Sequence, residues 1–392
     1  MQSTRAGAQA GFGLAGVILL ALILKYPFFE FGPRYAAVTG ESLVEGYRRI
    51  GSWAIWLYFA ITLATALIVQ VAVVLFTAFL FNRVFALTMP LAVTGGLICL
   101  GSAILLWVGR FKWLDASIKV VLALLAISTL IAATVIAPTA DLSTIRFLPL
   151  DNGSLLVSLA FLLALVGWMP TAIDLAVWSS LWTLAKDESE GMRSSVSAAR
   201  LDFNIGYVGT GVLAFSFLLL GATVMHQSGE TFSSQGTVFS TQLVELYVRT
   251  LGEWTRPVVM VAVLTTMIST SLTVIDGFPR ALDRTIKVLR GAAIGEVGSE
   301  ARSPYWISLV VLAVLTVVTL SRFLNSLTAM VDFATIVSFL TAPVLGYLNL
   351  KAVTSDDIPR EHQPGRAMLL MAYIGLGLLS ITALIYVISK LT

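Results

Sequence analysis

The sequence predicts an all-α polytopic membrane protein of about ten transmembrane helices, and three observations carry that prediction. Hydrophobic residues make up 57% of the 392 residues and charged residues only 12%, about half the roughly 25% charged share of soluble domains. Mean hydropathy is +0.90. Apolar runs long enough to cross a hydrocarbon core recur from one end of the chain to the other, with no soluble domain between them.

In order, the runs cover residues 11–31, 53–80, 84–108, 114–137, 154–184, 205–225, 257–275, 305–320, 323–350 and 367–388. The first carries Lys25, Pro27 and Glu30, with Pro33 just beyond it, so the prolines should bend it. Lys25 lies about 21 Å along this span at 1.5 Å per residue, close enough to the cytoplasmic surface for its ammonium to snorkel there. Glu30 and Arg34 are spaced i, i+4 and can pair. A structural or gating role for Lys25 and Glu30 follows. Lys119 is the other basic residue left within a span, the fourth, and the lone Cys99 lies within the third. One cysteine excludes an internal disulfide, and His226 and His362 stand in polar connections, which argues against a His/Cys metal centre.

The fifth span is interrupted near its centre by Gly167, Trp168, Met169, Pro170 and Thr171. Proline removes a helical N–H and clashes with the preceding turn, so carbonyls are left without partners. In hydrocarbon such groups are tolerated only where they face protein or a water-filled cavity, and transporters use them to hold substrates near the midplane. A plain proline kink is the alternative. Thr171-x-x-Asp174 reads as a capping box for a second half-helix, a role compatible with Asp174 touching a substrate. The seventh span holds Thr265, Thr266, Ser269, Thr270, Ser271 and Thr273. These hydroxyls either bond back to their own helix or serve a hard cation such as sodium. Asp276, followed by Gly277 and Pro279, is expected to terminate that helix beside a vestibule. In the ninth span Asp332 lies roughly 14 Å deep and shares a face with Thr328 and Thr335. The tenth span is the least interrupted by polar residues.

Between the spans, residues 238–251 alternate apolar and polar residues at helical spacing, which predicts a surface helix on the outer side. The larger share of Lys and Arg, including Arg48, Arg49, Lys186, Arg193, Arg280 and Arg284, falls in alternate connections and places those in the cytoplasm. Arg5 belongs to the opposite set. The N-terminus is then outside, and an outside N-terminus without a signal sequence suggests a further helix upstream of Met1. HExxH, G-x-S-x-G and P-loop signatures do not occur, and no enzyme reading has positive support.

Gly7-Ala8-Gln9-Ala10-Gly11-Phe12, the broken segment Val166-Gly167-Trp168-Met169-Pro170-Thr171 and the Leu201-Asp202-Phe203-Asn204-Ile205 lead-in to the next span together resemble the NRAMP (natural resistance-associated macrophage protein) divalent-metal transporters. The resemblance implies a LeuT-type bundle of two inverted repeats lacking most of the first helix. Residues 1–150 would be the rest of the first repeat, 151–350 the second, and 351–392 an extra C-terminal helix. It implies that Met169 supplies a thioether ligand and Val166 a carbonyl ligand to a transition metal, with soft sulfur favouring manganese or iron. Asp332 and Asp174 join them as candidate ligands or proton acceptors. Thr171 stands where the family usually has histidine. The family's Asp-Pro-Gly-Asn motif has no counterpart, because this sequence begins just after its place.

The expectation is a secondary transporter of divalent metal ions, proton-coupled by resemblance, integral to a bacterial inner membrane. Its partners are the lipid bilayer and a small inorganic ion, with no nucleic acid and no resident cofactor; oligomeric state is left open. A sodium-coupled carrier of a small organic solute, its ion site in the hydroxyl-rich stretch Thr265 to Thr273 with Thr266, Ser269 and Thr270, is the first alternative. A non-transporting membrane sensor, scaffold or inactive fragment is the second.

Overall fold

The computed structural model describes residues 2–108, 111–151, 154–291, 303–322 and 327–391. Helix α1 (Gln2–Ala10) is short and buried along most of its length, and residues 11–14 separate it from α2 (Ala15–Thr39). The expected first span therefore starts later and runs eight residues further, to Thr39, because residues such as Gly32, Pro33 and Arg34 are held in the helix by burial against protein, which hydropathy does not register. A brief α3 (Leu43–Ile50) follows. Its start is a capping box: the Ser42 hydroxyl accepts from the Val44 amide at 3.2 Å, and the Ser42 amide donates to the Glu45 carboxylate at 3.0 Å. Glu45 also takes the guanidinium of Arg284, so one buried carboxylate caps α3 and ties it to a distant helix.

Then come α4 (Ser52–Val84), α5 (Leu91–Val108) and α6 (Phe111–Ile136), a two-residue hairpin pairing β1 (Leu150–Asp151) with β2 (Ser154–Leu155), and two half-helices, α7 (Leu159–Gly167) and α8 (Leu175–Glu190). α9 (Val196–Leu220) opens on Ser195, whose hydroxyl accepts from the Ala198 amide at 3.2 Å, and closes on a π turn, Gly221–Met225. Loss of that cap in Ser195→Ala is expected to cost about 1 kcal/mol, measurable as a fall of the thermal midpoint in detergent, while the fold is kept.

α10 (Gly236–Leu251) is the helix expected on the surface. It is helical, but Phe239, Leu246 and Tyr247 are buried against the bundle, so its apolar face seals protein. α11 (Thr255–Leu289) passes straight through Pro279, which corrects the expected terminus at Asp276. The Asp276 carboxylate instead pairs with Arg280 one turn on, at 2.9 and 3.1 Å, and accepts from the Tyr305 hydroxyl at 2.7 Å. α12 (Ser303–Arg322), α13 (Leu327–Val353) and α14 (Arg366–Leu391) complete the chain. Among the described residues, eight helices are long and apolar enough to cross a membrane; α6 and the α7–α8 pair account for the other two expected spans.

The packing has an internal reciprocity. α1 lies on α9, and α8 lies on α2; α4 packs on α11; α6 packs on α9 and α11, and α13 on α2 and α4. Even the connecting helices obey it, α3 touching α4, α11 and α13 while α10 touches α11, α4 and α6. Exchanging α1–α6 with α8–α13 carries each of these contacts into another of them, as expected of two structural repeats related by a pseudo-two-fold axis. At the α1–α9 crossing the backbones touch: a Cβ on Gly7 would lie 2.3 Å from the Leu218 carbonyl oxygen, so glycine is required there.

Candidate substrate site at the broken helix

α7 begins where the Ser158 hydroxyl accepts from the Phe161 amide at 3.2 Å, and it ends at Gly167. Pro170 cannot donate to the ladder, and residues 168–174 lie outside both half-helices, with turn-type bonds such as the Met169 amide to the Val166 carbonyl at 3.3 Å, until α8 resumes at Leu175. The expected interruption is therefore present, at the residues that predicted it. Gly167 lets α7 lie directly on α13, since a Cβ there would stand 2.1 Å from the Thr335 carbonyl oxygen.

The carbonyls freed by this break point at a cation. Lys25 Nζ donates to the Val166 oxygen at 2.9 Å, the Gly167 oxygen at 3.1 Å and the Thr171 oxygen at 2.8 Å. Only 1% of Lys25 is exposed, and its ammonium lies 5.6 Å from the centroid of the Phe29 ring. The expected snorkelling toward the cytoplasm does not occur. The physical reason is that the carbonyls of Val166, Gly167 and Thr171 converge inside the bundle and match the three donors of an ammonium, the Val166 oxygen accepting from the Met169 amide as well, at 3.3 Å.

Asp174 is 6% exposed, and its Oδ1 has no hydrogen-bond partner among the described residues. The expected capping box is not formed. Asp174 itself holds the N-cap position with helical φ −58° and ψ −23°, without a side-chain cap, whereas a capping side chain needs an extended backbone. Thr171 contributes its carbonyl to Lys25 rather than its hydroxyl to the helix.

Asp332 is met from α1. Arg5 donates to both its oxygens, at 2.5 and 3.0 Å; Gln2 donates to Oδ1 at 3.5 Å and accepts from Arg5 at 3.0 Å. The Arg5 guanidinium also lies 5.1 Å from the Phe161 ring centroid on α7. Hydropathy and charge bias put Arg5 in an outer connection and left Gln2 unmarked. Their shared face, three residues apart on a half-helix, was the available signal. The Thr335 hydroxyl returns to the Val331 carbonyl at 2.9 Å.

Met169 is 4% exposed and packs among Phe12, Leu14, Phe161 and Leu165. Trp168 donates from Nε1 to the Ser338 hydroxyl at 3.0 Å, a second tie from the break to α13. Thus Val166, Met169, Thr171, Asp174 and Lys25 gather at or beside the break, and Asp332 belongs to the ion pair that joins α1 to α13.

The remaining candidates lie apart. On α11 the Thr266 hydroxyl bonds the Ala262 carbonyl at 2.8 Å, Thr270 bonds Thr266 at 2.9 Å and Thr273 bonds Ser269 at 2.9 Å. Ser269 and Asp276 line a separate cavity of about 480 Å3 with Trp182, Thr273 and Arg280. Glu30 is fully buried between Arg34, at 2.7 Å, and Arg200, at 3.0 Å, and Arg34 also donates to the His362 carbonyl at 2.7 Å. That cluster ties α2 to α9 and to the connection before α14. Among the described residues no group of three His, Cys, Asp or Glu side chains converges, so an ion at the break would rely on carbonyls, a thioether and single carboxylates.

Comparison with known proteins agrees with this architecture. An uncharacterised protein of Pasteurella multocida (strain Pm70) is 33% identical over 391 residues, covering 98% of this chain and 87% of the relative. Crystal structures of a manganese transporter of Eremococcus coleocola superpose with 14% identity over 99% of this chain and 82% of that one. The TM-score is 0.68 for a mutant of it and 0.66 for its complex with an aromatic bis-isothiourea substituted compound. These structures establish the shared fold, the LeuT-type inverted-repeat bundle. The family model described as natural resistance-associated macrophage protein-like matches residues 2–389. With that match over almost its whole length, this integral multi-pass membrane chain belongs to the natural resistance-associated macrophage protein-like family.

Proposed function

We propose that the chain is a secondary active transporter that carries a divalent metal ion across a bacterial plasma membrane by alternating access around the break between α7 and α8. The observation that carries the reading is the set of carbonyls of Val166, Gly167 and Thr171, which already hold a positive charge in the interior of the bundle. Unwound carbonyls in that position serve cations in transporters of this architecture. Met169 adds a thioether, which suits manganese or iron better than calcium or magnesium. The fold shared with a manganese transporter supports the same cargo class.

In this reading residues 1–150 are the remainder of a first repeat, 151–350 a second, and 351–392 an appended helix; the reciprocal helix contacts support the division. Asp174, buried with an unpartnered oxygen, is the carboxylate placed to join the ion or to take a coupled proton. The Arg5–Asp332 pair joins α1 to α13 and is suited to open and close one approach to the break. On α11 the hydroxyls of Thr266, Thr270 and Thr273 donate to carbonyls of their own helix, which is the structural role the sequence offered them.

Uptake of radioactive Mn2+ into proteoliposomes tests the reading. Wild-type protein should accumulate the ion, and Met169→Ala should lower uptake at limiting Mn2+ by roughly tenfold or more, since disturbing even an outer partner of a metal site costs 10–100-fold. Unchanged uptake in the variant would remove Met169 from the site.

A further inference from the structure

We infer that Lys25 is a tethered stand-in for the cargo: its ammonium fills the carbonyl cage of the break when no ion is bound, and metal loading requires it to leave. The inference rests on the cation-transport reading of the same site. An ammonium carries three donors, and all three are used, on the oxygens of Val166, Gly167 and Thr171. The break takes these oxygens out of the regular α-helical ladder, the Val166 oxygen keeping only a turn-type bond from the Met169 amide at 3.3 Å. Left without further partners in a buried site they would be costly, so a donor or a cation has to meet them throughout the cycle. Lys25 meets them from the neighbouring α2.

Charge balance points the same way. Lys25 and Arg5 bring two formal positive charges and Asp174 and Asp332 two negative ones, so the four sum to zero. A divalent ion entering this set would leave two uncompensated positive charges in a medium of low dielectric constant, an arrangement strongly disfavoured for buried ions. Withdrawal of the ammonium from the cage frees the oxygens and ends its direct contact with the incoming charge. Its four-carbon stem lets the head group swing without moving α2. The unpartnered Oδ1 of Asp174 offers it an acceptor near the break. Binding then becomes an exchange of one cation for another, which weakens the affinity for the ion and favours its release.

Equilibrium binding of Mn2+ to purified protein, read from loss of the paramagnetic resonance signal of the free ion, tests the inference. Lys25→Met keeps the stem and removes the charge; Lys25→Gln keeps amide donors for the carbonyls and guards against misfolding. Both should bind Mn2+ about tenfold or more tighter than wild type, because a competing buried charge has been deleted. Their thermal midpoints should also rise more on Mn2+ addition, while Lys25→Arg should bind no tighter than wild type. Folded Met and Gln variants that bind no tighter than wild type, with wild-type uptake intact, would overturn the tethered cation alone. Tight binding by the variants without any wild-type uptake would overturn transport and keep the tethered cation. Absence of binding by all forms would overturn both.

Discussion

Asp332→Ala is expected to destabilise the protein by about 3 kcal/mol and to abolish uptake, because it leaves the Arg5 guanidinium charged and without its counter-ion in the interior. The Arg5 side chain is only 6% exposed and that of Asp332 30%, and the pair is bidentate at 2.5 and 3.0 Å, so solvent screens it weakly. Arg5→Ala should cost less, since the more exposed carboxylate regains water. The double replacement Arg5→Ala/Asp332→Ala should recover much of the stability lost in Asp332→Ala, as removal of both partners leaves no orphaned charge. It should not recover uptake control, because the tie between α1 and α13 is gone. Thermal midpoints in detergent and Mn2+ uptake for the three variants check this; strictly additive losses would show that the two residues do not act as a pair.

Gly167→Ala should be nearly as damaging although it adds a single methyl group. That carbon would sit 2.1 Å from the Thr335 carbonyl oxygen and 3.3 Å from Phe339 Cβ, and the first of these is helix backbone that cannot rotate away. α7 must lift off α13, dragging the Val166 and Gly167 carbonyls from Lys25 and the Trp168 indole from Ser338. Overpacking of this kind costs about 1–3 kcal/mol, and uptake should fall with it. Gly209→Ala on α9, where a Cβ meets nothing within 4 Å, is the matched control and should change stability by no more than about 1 kcal/mol, in the favourable direction. Equal behaviour of the two variants in monodisperse yield and thermal midpoint would contradict the packing argument.

The break is legible in the sequence because Gly167 and Pro170 offend helix geometry inside an apolar run long enough to span. Asp332 is legible for a related reason: a carboxylate at that depth needs a partner. The partner itself is not, because α1 is short and polar and reads as a loop by hydropathy. Lys25 shows the limit most clearly. Its position along α2 can be counted, but periodicity gives depth and face, not the three carbonyls of another helix that draw its ammonium inward. The run of α11 past Asp276 is hidden likewise. Helix beyond the hydrocarbon carries no apolar signature, and Asp276 with Arg280 four residues on supports the helix it was expected to end.

Anomalous scattering from crystals grown with Mn2+, recorded above the manganese absorption edge, tests the central claim most directly. The account predicts a peak at the break, within bonding distance of the Val166 oxygen and the Met169 sulfur, with the Lys25 ammonium moved off its three carbonyls. A peak elsewhere, for instance in the cavity beside Asp276 and Ser269, with Lys25 still seated on Val166, Gly167 and Thr171, would contradict it.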